Sequence, residues 1–169
     1  MTKKQKVGKD MSIEAVRAYL KQAGCAAEVI EFAADTATVA LAAAAIGCEE
    51  REIAKTLSFE LSTGPILVVM SGEAKADNRK FKDTFGEKAK MIPFDEVEEK
   101  IGHAPGGVCP FAVKEGVRVF ADVSLKRFNT FYPAAGSAHS AIPMDTAALE
   151  RLGNVIAWVD VAKGWQEEE

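Results

Sequence analysis

Apolar residues recur along this chain with two periods, and glycines and capping residues separate the segments. Ile13, Val16 and Leu20 fall on one face of a helix that Ser12 can cap and Gly24 can end. Residues 28–32 read as a short strand. Thr38 can cap an alanine-rich helix, Val39–Ile46, that Gly47 stops. Residues 49–54 suit a helical turn. Residues 56–61 and 66–71 flank Ser62-Thr63-Gly64-Pro65, which has hairpin chemistry. A helix follows over Asn78–Phe85, ended by Gly86, then a short strand at 89–92 and a helix at 95–101. Residues 117–122, 130–134 and 140–142 read as strands. Asp145 can cap a helix running to Leu152, and residues 155–159 close the chain as a buried strand.

A hairpin within a mixed order of helices and strands favours an α+β sheet or barrel over a doubly wound parallel sheet. With 169 residues, no internal repeat and no linker, the chain reads as a single domain over 11–165. A basic, disordered leader at 1–10 precedes it and an acidic tail at 166–169 follows. An apolar fraction of 48% and a charged fraction of 27% are those of a soluble globular protein. No apolar run is long enough to span a membrane, and the leader lacks the apolar core of a signal peptide. Cys25, Cys48 and Cys109 are odd in number and unrelated in spacing, which argues for a reducing compartment and against a disulfide framework or a zinc site.

The net charge of −4 excludes attraction of nucleic acid by bulk charge. Locally, however, Lys75, Arg79, Lys80, Lys82, Lys88 and Lys90 outnumber Glu73, Asp77, Asp83 and Glu87, and such a face can hold phosphates. The plainer alternative is a solvated helix face.

The run from Gly102 to Phe111 is chemically the most informative. Glycines and prolines exclude a helix interior, while Val108 and Phe111 are too apolar for a flexible linker. It reads as a shaped loop that brings bare backbone up to a ligand, or else as a tight helix-to-strand connection. Other templates fall away. There is no Gly-x-Ser-x-Gly elbow, no phosphate-binding or dinucleotide loop, and His103 and His139 are too few for most zinc centres. Cys109 with either histidine would make a thiol–imidazole pair if the fold brought them together.

Four segments in order carry a resemblance: Ile53-Ala54-Lys55-Thr56-Leu57-Ser58-Phe59, Gly106-Gly107-Val108-Cys109-Pro110-Phe111, Val119-Phe120-Ala121-Asp122 and Tyr132-Pro133-Ala134-Ala135-Gly136-Ser137. Together they resemble the YbaK/prolyl-tRNA synthetase-associated domain family of aminoacyl-tRNA deacylases, over roughly residues 12–162. The resemblance implies a mixed, barrel-like β-sheet surrounded by helices. It also implies a free-standing, trans-editing hydrolase of mischarged tRNA, acting in the cytoplasm on tRNA(Pro) that carries a small wrong amino acid such as alanine, cysteine or serine. The partners implied are the mischarged tRNA and prolyl-tRNA synthetase, with no DNA, membrane, metal or cofactor. A non-catalytic module that binds an aminoacyl ester, nucleotide or protein is the alternative from another class.

Carried over position by position, the resemblance makes Lys55 the functional lysine, holding the terminal phosphate or orienting the ester. The amides of Gly106 and Gly107, with Val108, Cys109 and Pro110, match the loop that would hold the ester carbonyl or ribose. Phe111 would wall the pocket or be core. Asp122 matches an acidic position at a strand end, its plainer role being a turn cap. Gly136 and Ser137 match a second small-residue loop, and His139 follows it as a possible substrate contact. The local positive excess, rather than the resemblance, makes Lys75, Arg79 and Lys82 the expected tRNA contacts. Val123 stands where many members carry a second acid, and Cys109 where serine is frequent. The mechanism implied relies on backbone amides and the ribose hydroxyl rather than on a nucleophile–base pair.

Overall fold

The structure is a computed structural model and describes residues 3–32 and 38–166. In chain order the elements are α1 (Lys3–Gln22), β1 (Ile30–Glu31), α2 (Val39–Ile46), β2 (Ile53–Leu61), β3 (Gly64–Ser71), β4 (Lys75–Ala76), α3 (Asn78–Phe85), α4 (Val97–Ile101), β5 (Arg118–Asp122), β6 (Tyr132–Pro133), β7 (Ser140–Ala141), α5 (Thr146–Leu152), β8 (Val155–Val159) and β9 (Ala162–Lys163). Local chemistry sets most boundaries. Thr38, Asp77 and Asp145 each accept a backbone N–H at the start of α2, α3 and α5, and Gly47 and Gly86 close α2 and α3 in the left-handed conformation.

A curled five-stranded sheet in the order β6-β2-β3-β5-β8 forms the frame. It is mixed: β2 and β3 form an antiparallel hairpin, while β6 on β2, β5 on β3 and β8 on β5 are parallel. The mixed α+β class expected from the hairpin and from the family resemblance is the one observed. Two small sheets, β1 with β7 and β4 with β9, complete the strand pairing among the described residues.

β3 is the central strand, and Ile66 to Met70 are fully buried. Strand alternation divides them between two cores. Leu67 and Val69 join Val16, Leu20, Ile101, Val119, Ala121, Leu149 and Leu152 on one face, beneath α1, α4 and α5. Ile66, Val68 and Met70 join Phe59, Phe81, Phe120 and Val159 on the other, beneath α3. There Phe59, Phe81, Phe85 and Phe120 form a chain of ring contacts with centroids 4.7, 4.7 and 5.0 Å apart.

Several expectations are corrected. α1 runs back to Lys3 through the segment expected to be a disordered leader, so Ser12 lies inside the helix and caps nothing. Good helix formers precede it, and Gly8 alone is too weak a break. Residues 89–92 form no strand. They make a single bridge, Met91 to Phe59, before Pro93 turns the chain away. Residues 49–54 split into a short 3-10 turn at Glu50–Glu52 and the start of β2. β8 is not buried: it is the sheet's outer strand and leaves Ile156 58% exposed. The acidic end at 167–169 lies outside the described residues.

Phe81 is the α3 side chain that is wholly buried in this core. Phe81→Ala is expected to lower unfolding free energy by about 3–5 kcal/mol in denaturant titration. A loss below about 1 kcal/mol would show that α3 is not held by this aromatic chain.

Candidate functional site

The outer edge of β2 is only partly covered. β6 pairs with it at Ile53 and Ala54. Further along, Ser58 O accepts from Ile92 N at 3.1 Å and Glu60 N donates to Lys90 O at 2.8 Å. Between these contacts a cavity of about 410 Å³ opens. Its walls are α2 (Val39, Ala42, Ile46), the first half of β2, Ile92, Phe94 and Val97, the loop residues Pro105, Gly106 and Val108, and Tyr132, Ala134, Ser137, Ser140 and Ala141. A mostly apolar lining with a few polar groups, at this size, suits a small ligand.

The glycine loop is held by contacts that leave no room for side chains. A Cβ on Gly107 would meet Ser137 Cα at 2.7 Å and Gly136 O at 2.8 Å, so the two small-residue loops pack backbone to backbone. Gly136, at φ +103°, in turn lies under α1, where a Cβ would meet Ser12 O at 2.8 Å. His103 fastens the same junction. It is buried, with Nδ1 2.7 Å from Ser12 Oγ and Nε2 2.6 Å from Phe111 O. Phe111 O can only accept, so Nε2 carries the proton and Nδ1 accepts from Ser12. Burial holds the imidazole pKa below its usual value.

Lys55 lines the cavity, half-buried, and its Nζ donates to Gly72 O at 3.5 Å. Desolvation, and then the charge of Lys75, lowers its pKa. Gly106 and Val108 line the cavity, and their N–H groups have no acceptor among the described residues. Ser137 lines it too, its hydroxyl bonded to Ser140 Oγ at 3.0 Å.

Other expected residues stand elsewhere. The Gly107 amide is spent on Ala104 O at 3.0 Å, so Gly107 shapes the loop rather than donating to a ligand. Asp122 is fully buried outside the cavity, accepting from Ser124 N at 2.9 Å and Val161 N at 2.8 Å: the cap, not the site acid. Phe111 is core. Pro110 is buried, and its Cβ lies 3.3 Å from where a Cβ on Gly153 would be. Cys109 does meet His103, Sγ to Nε2 at 3.5 Å, but neither lines the cavity. Burial pushes the Cys109 thiol up to about 12, which leaves it protonated and inert. His139 is exposed at the second loop, its N–H bonded to Ser137 Oγ, and does not line the cavity.

Of the basic stretch, α3 with Arg79, Lys80 and Lys82 packs on the opposite face of the sheet, while Lys90 lies along the β2 edge. Three of its four acids are committed: Glu73 pairs with Arg127 at 2.7 Å, Asp77 caps α3, and Glu87 accepts from Ser62, while Asp83 is exposed. Lys80 pairs with Asp160 at 3.0 Å, while Lys75, Arg79, Lys82, Lys88 and Lys90 are exposed. Lys75 lies on β4, paired with Lys163 of β9. Thr56, Ser58, Tyr132 and Ser140 also line the cavity and were not singled out from the sequence. Thr56 and Ser58 alternate with Lys55 along β2 and so face the other side of the sheet.

Among the described residues no group of three or more His, Cys, Asp or Glu side chains could hold a metal, and no helix is long and apolar enough to cross a membrane. The fold thus brings backbone amides and a desolvated lysine together at one cavity. The chain belongs to the aminoacyl-tRNA editing domain family, whose family model matches residues 33–152. It is 44% identical over 157 residues to the uncharacterised YwhH protein of Bacillus subtilis, covering 92% of this chain and all of that one. Over 114 residues it is 26% identical to a candidate Cys-tRNA(Pro)/Cys-tRNA(Cys) deacylase, EbsC, of Enterococcus faecalis, covering 66% and 70% of the two chains. The crystal structure of a candidate trans-editing enzyme for prolyl tRNA synthetase superposes with a TM-score of 0.83 at 27% identity, over 90% of this chain and 98% of that one.

If Lys75 depresses Lys55, Lys75→Ala should move the Lys55 titration upward, towards the ordinary lysine range. NMR of the lysine Cε carbons during a pH titration reads this directly. An unmoved Lys55 would leave desolvation as the sole cause.

Proposed function

We propose that this protein is a free-standing hydrolase that removes a small, wrongly attached amino acid from tRNA(Pro). The observation that carries this reading is the meeting, in one largely apolar cavity, of a desolvated ammonium at Lys55 with the unpaired amides of Gly106 and Val108. Family membership and the likeness to a candidate trans-editing enzyme support it.

The chemistry asked of such a site is modest, because an aminoacyl ester is already activated. Water attacks the ester carbonyl. The loop amides stabilise the developing oxyanion, and collapse expels the ribose hydroxyl, giving free amino acid and deacylated tRNA. The water's proton passes to the leaving ribose oxygen, aided by the neighbouring ribose hydroxyl. No enzyme nucleophile is needed, consistent with a protonated Cys109. Lys55 holds the phosphate or ester end of the acceptor strand. The apolar walls at Ile53, Val97 and Val108 limit side-chain size and so exclude the correct prolyl ring by shape.

The direct test is a panel of tRNA(Pro) charged with alanine, cysteine, serine and proline, scored for amino-acid release. Rapid release from one small residue and none from proline is expected. Binding without release from any would favour a binding module. Lys55→Ala should cut turnover at least about tenfold, equivalent to ~1.4 kcal/mol, and Lys55→Arg should not restore it fully. Unchanged turnover would remove Lys55 from the site.

The exposed Arg79 and Lys82 carry the proposed docking of the tRNA body, with Lys75 linking that face to Lys55. Charge reversal of Arg79 and Lys82 to glutamate should weaken tRNA binding and flatten its salt dependence, while sparing hydrolysis of a small aminoacyl ester. Equal losses on both substrates would assign the helix a folding role instead.

A further inference from the structure

The uncovered part of the β2 edge has a definite chemical character. In an antiparallel pair, the backbone groups of alternate residues point to alternate sides. Ser58 O and Glu60 N point outward, since they bond the chain at Ile92 and Lys90. By the same alternation the N–H and C=O of Thr56 point outward as well. β6 ends at Ala54 and the next contact begins at Ser58, so no strand among the described residues covers Thr56. A second observation falls on the same residue. Thr56 Oγ1 is buried and has no hydrogen-bond partner, although Thr56 lines the cavity. A hydroxyl left in that condition costs about 1–3 kcal/mol, and ligands are a common reason to retain one.

We infer that Thr56 is the substrate-positioning residue that reads the α-ammonium of the bound aminoacyl group. The inference rests on the deacylase reading above and assigns a further part of that cavity. An aminoacyl ester carries an ammonium donor and a carbonyl acceptor on either side of one Cα, as a strand residue carries N–H and C=O. It can therefore complete the missing rung of the sheet edge. Thr56 C=O and Oγ1 accept from the ammonium, and Thr56 N–H donates to one lone pair of the ester carbonyl. The other lone pair is left for the loop amides of Gly106 and Val108. Recognition of this kind is indifferent to the amino-acid side chain, so the cavity walls remain responsible for side-chain selection. It rejects acyl groups that lack the ammonium.

The test compares two non-hydrolysable probes by calorimetry, 3′-alanylamino-3′-deoxyadenosine and its desamino analogue 3′-propionylamino-3′-deoxyadenosine. The wild-type protein should bind the alanyl probe at least about tenfold more tightly, a difference of ~1.4 kcal/mol. Thr56→Val should lose most of that preference through weaker binding of the alanyl probe alone, without a lower thermal midpoint, because it removes an unpartnered hydroxyl. Thr56→Ser should keep the preference. Equal wild-type affinity for the two probes would overturn the assignment whatever the variants do. So would a Thr56→Val protein with unchanged discrimination. The expected binding pattern without hydrolysis of any aminoacyl ester would contradict the deacylase reading and leave the role of Thr56 supported.

Discussion

Everything at this site depends on a contact from which side chains are excluded. Gly107 lies against Gly136 and Ser137 with no room for a methyl group, and Gly136 has the same relation to Ser12 of α1. Three segments distant in sequence thus meet through bare backbone. His103 ties them by bonding Ser12 on one side and Phe111 O on the other. That junction fixes where Gly106 and Val108 present their amides to the cavity, and the proposed oxyanion stabilisation calls for such rigidity. A side chain at Gly107 would push the loop and its donors off target.

The remaining chemistry is divided by the sheet. One face and its edge carry the cavity, with Thr56 and Ser58 directed to it. The opposite face carries α3 with the exposed Arg79 and Lys82. Lys55 stands at the edge between them. On the proposed reading, such a division would let a long substrate bind by charge and a short ester react in the cavity. The whole molecule stays acidic, with a net charge of −4. Cys109, which by residue type alone could have been a nucleophile, is instead a packing residue whose thiol burial keeps protonated.

How much of this could be read in the sequence followed how local each determinant is. The bounds of α2 and the end of α3 were legible because Thr38, Gly47 and Gly86 act within one turn. The hairpin was legible for the same reason. The start of α1 was not, since Ser12 has the type of a cap but finds its partner at His103, far along the chain. The exposure of β8 follows from strand order, which no local pattern encodes. Lys55 and the glycine loop were legible through motif order. Asp122 fitted two roles, and only the positions of Ser124 and Val161 decide for the cap. Thr56 was invisible as a site residue because the gap in the edge depends on where β6 ends and where residues 90–92 return.

A crystal structure of the protein with a non-hydrolysable aminoacyl-adenosine bound would test the central claim most directly. The acyl group is expected in the cavity beside β2, its carbonyl oxygen facing the amides of Gly106 and Val108 and its ribose end towards Lys55. A ligand seated on α3, or one whose carbonyl faces away from the glycine loop, would contradict it.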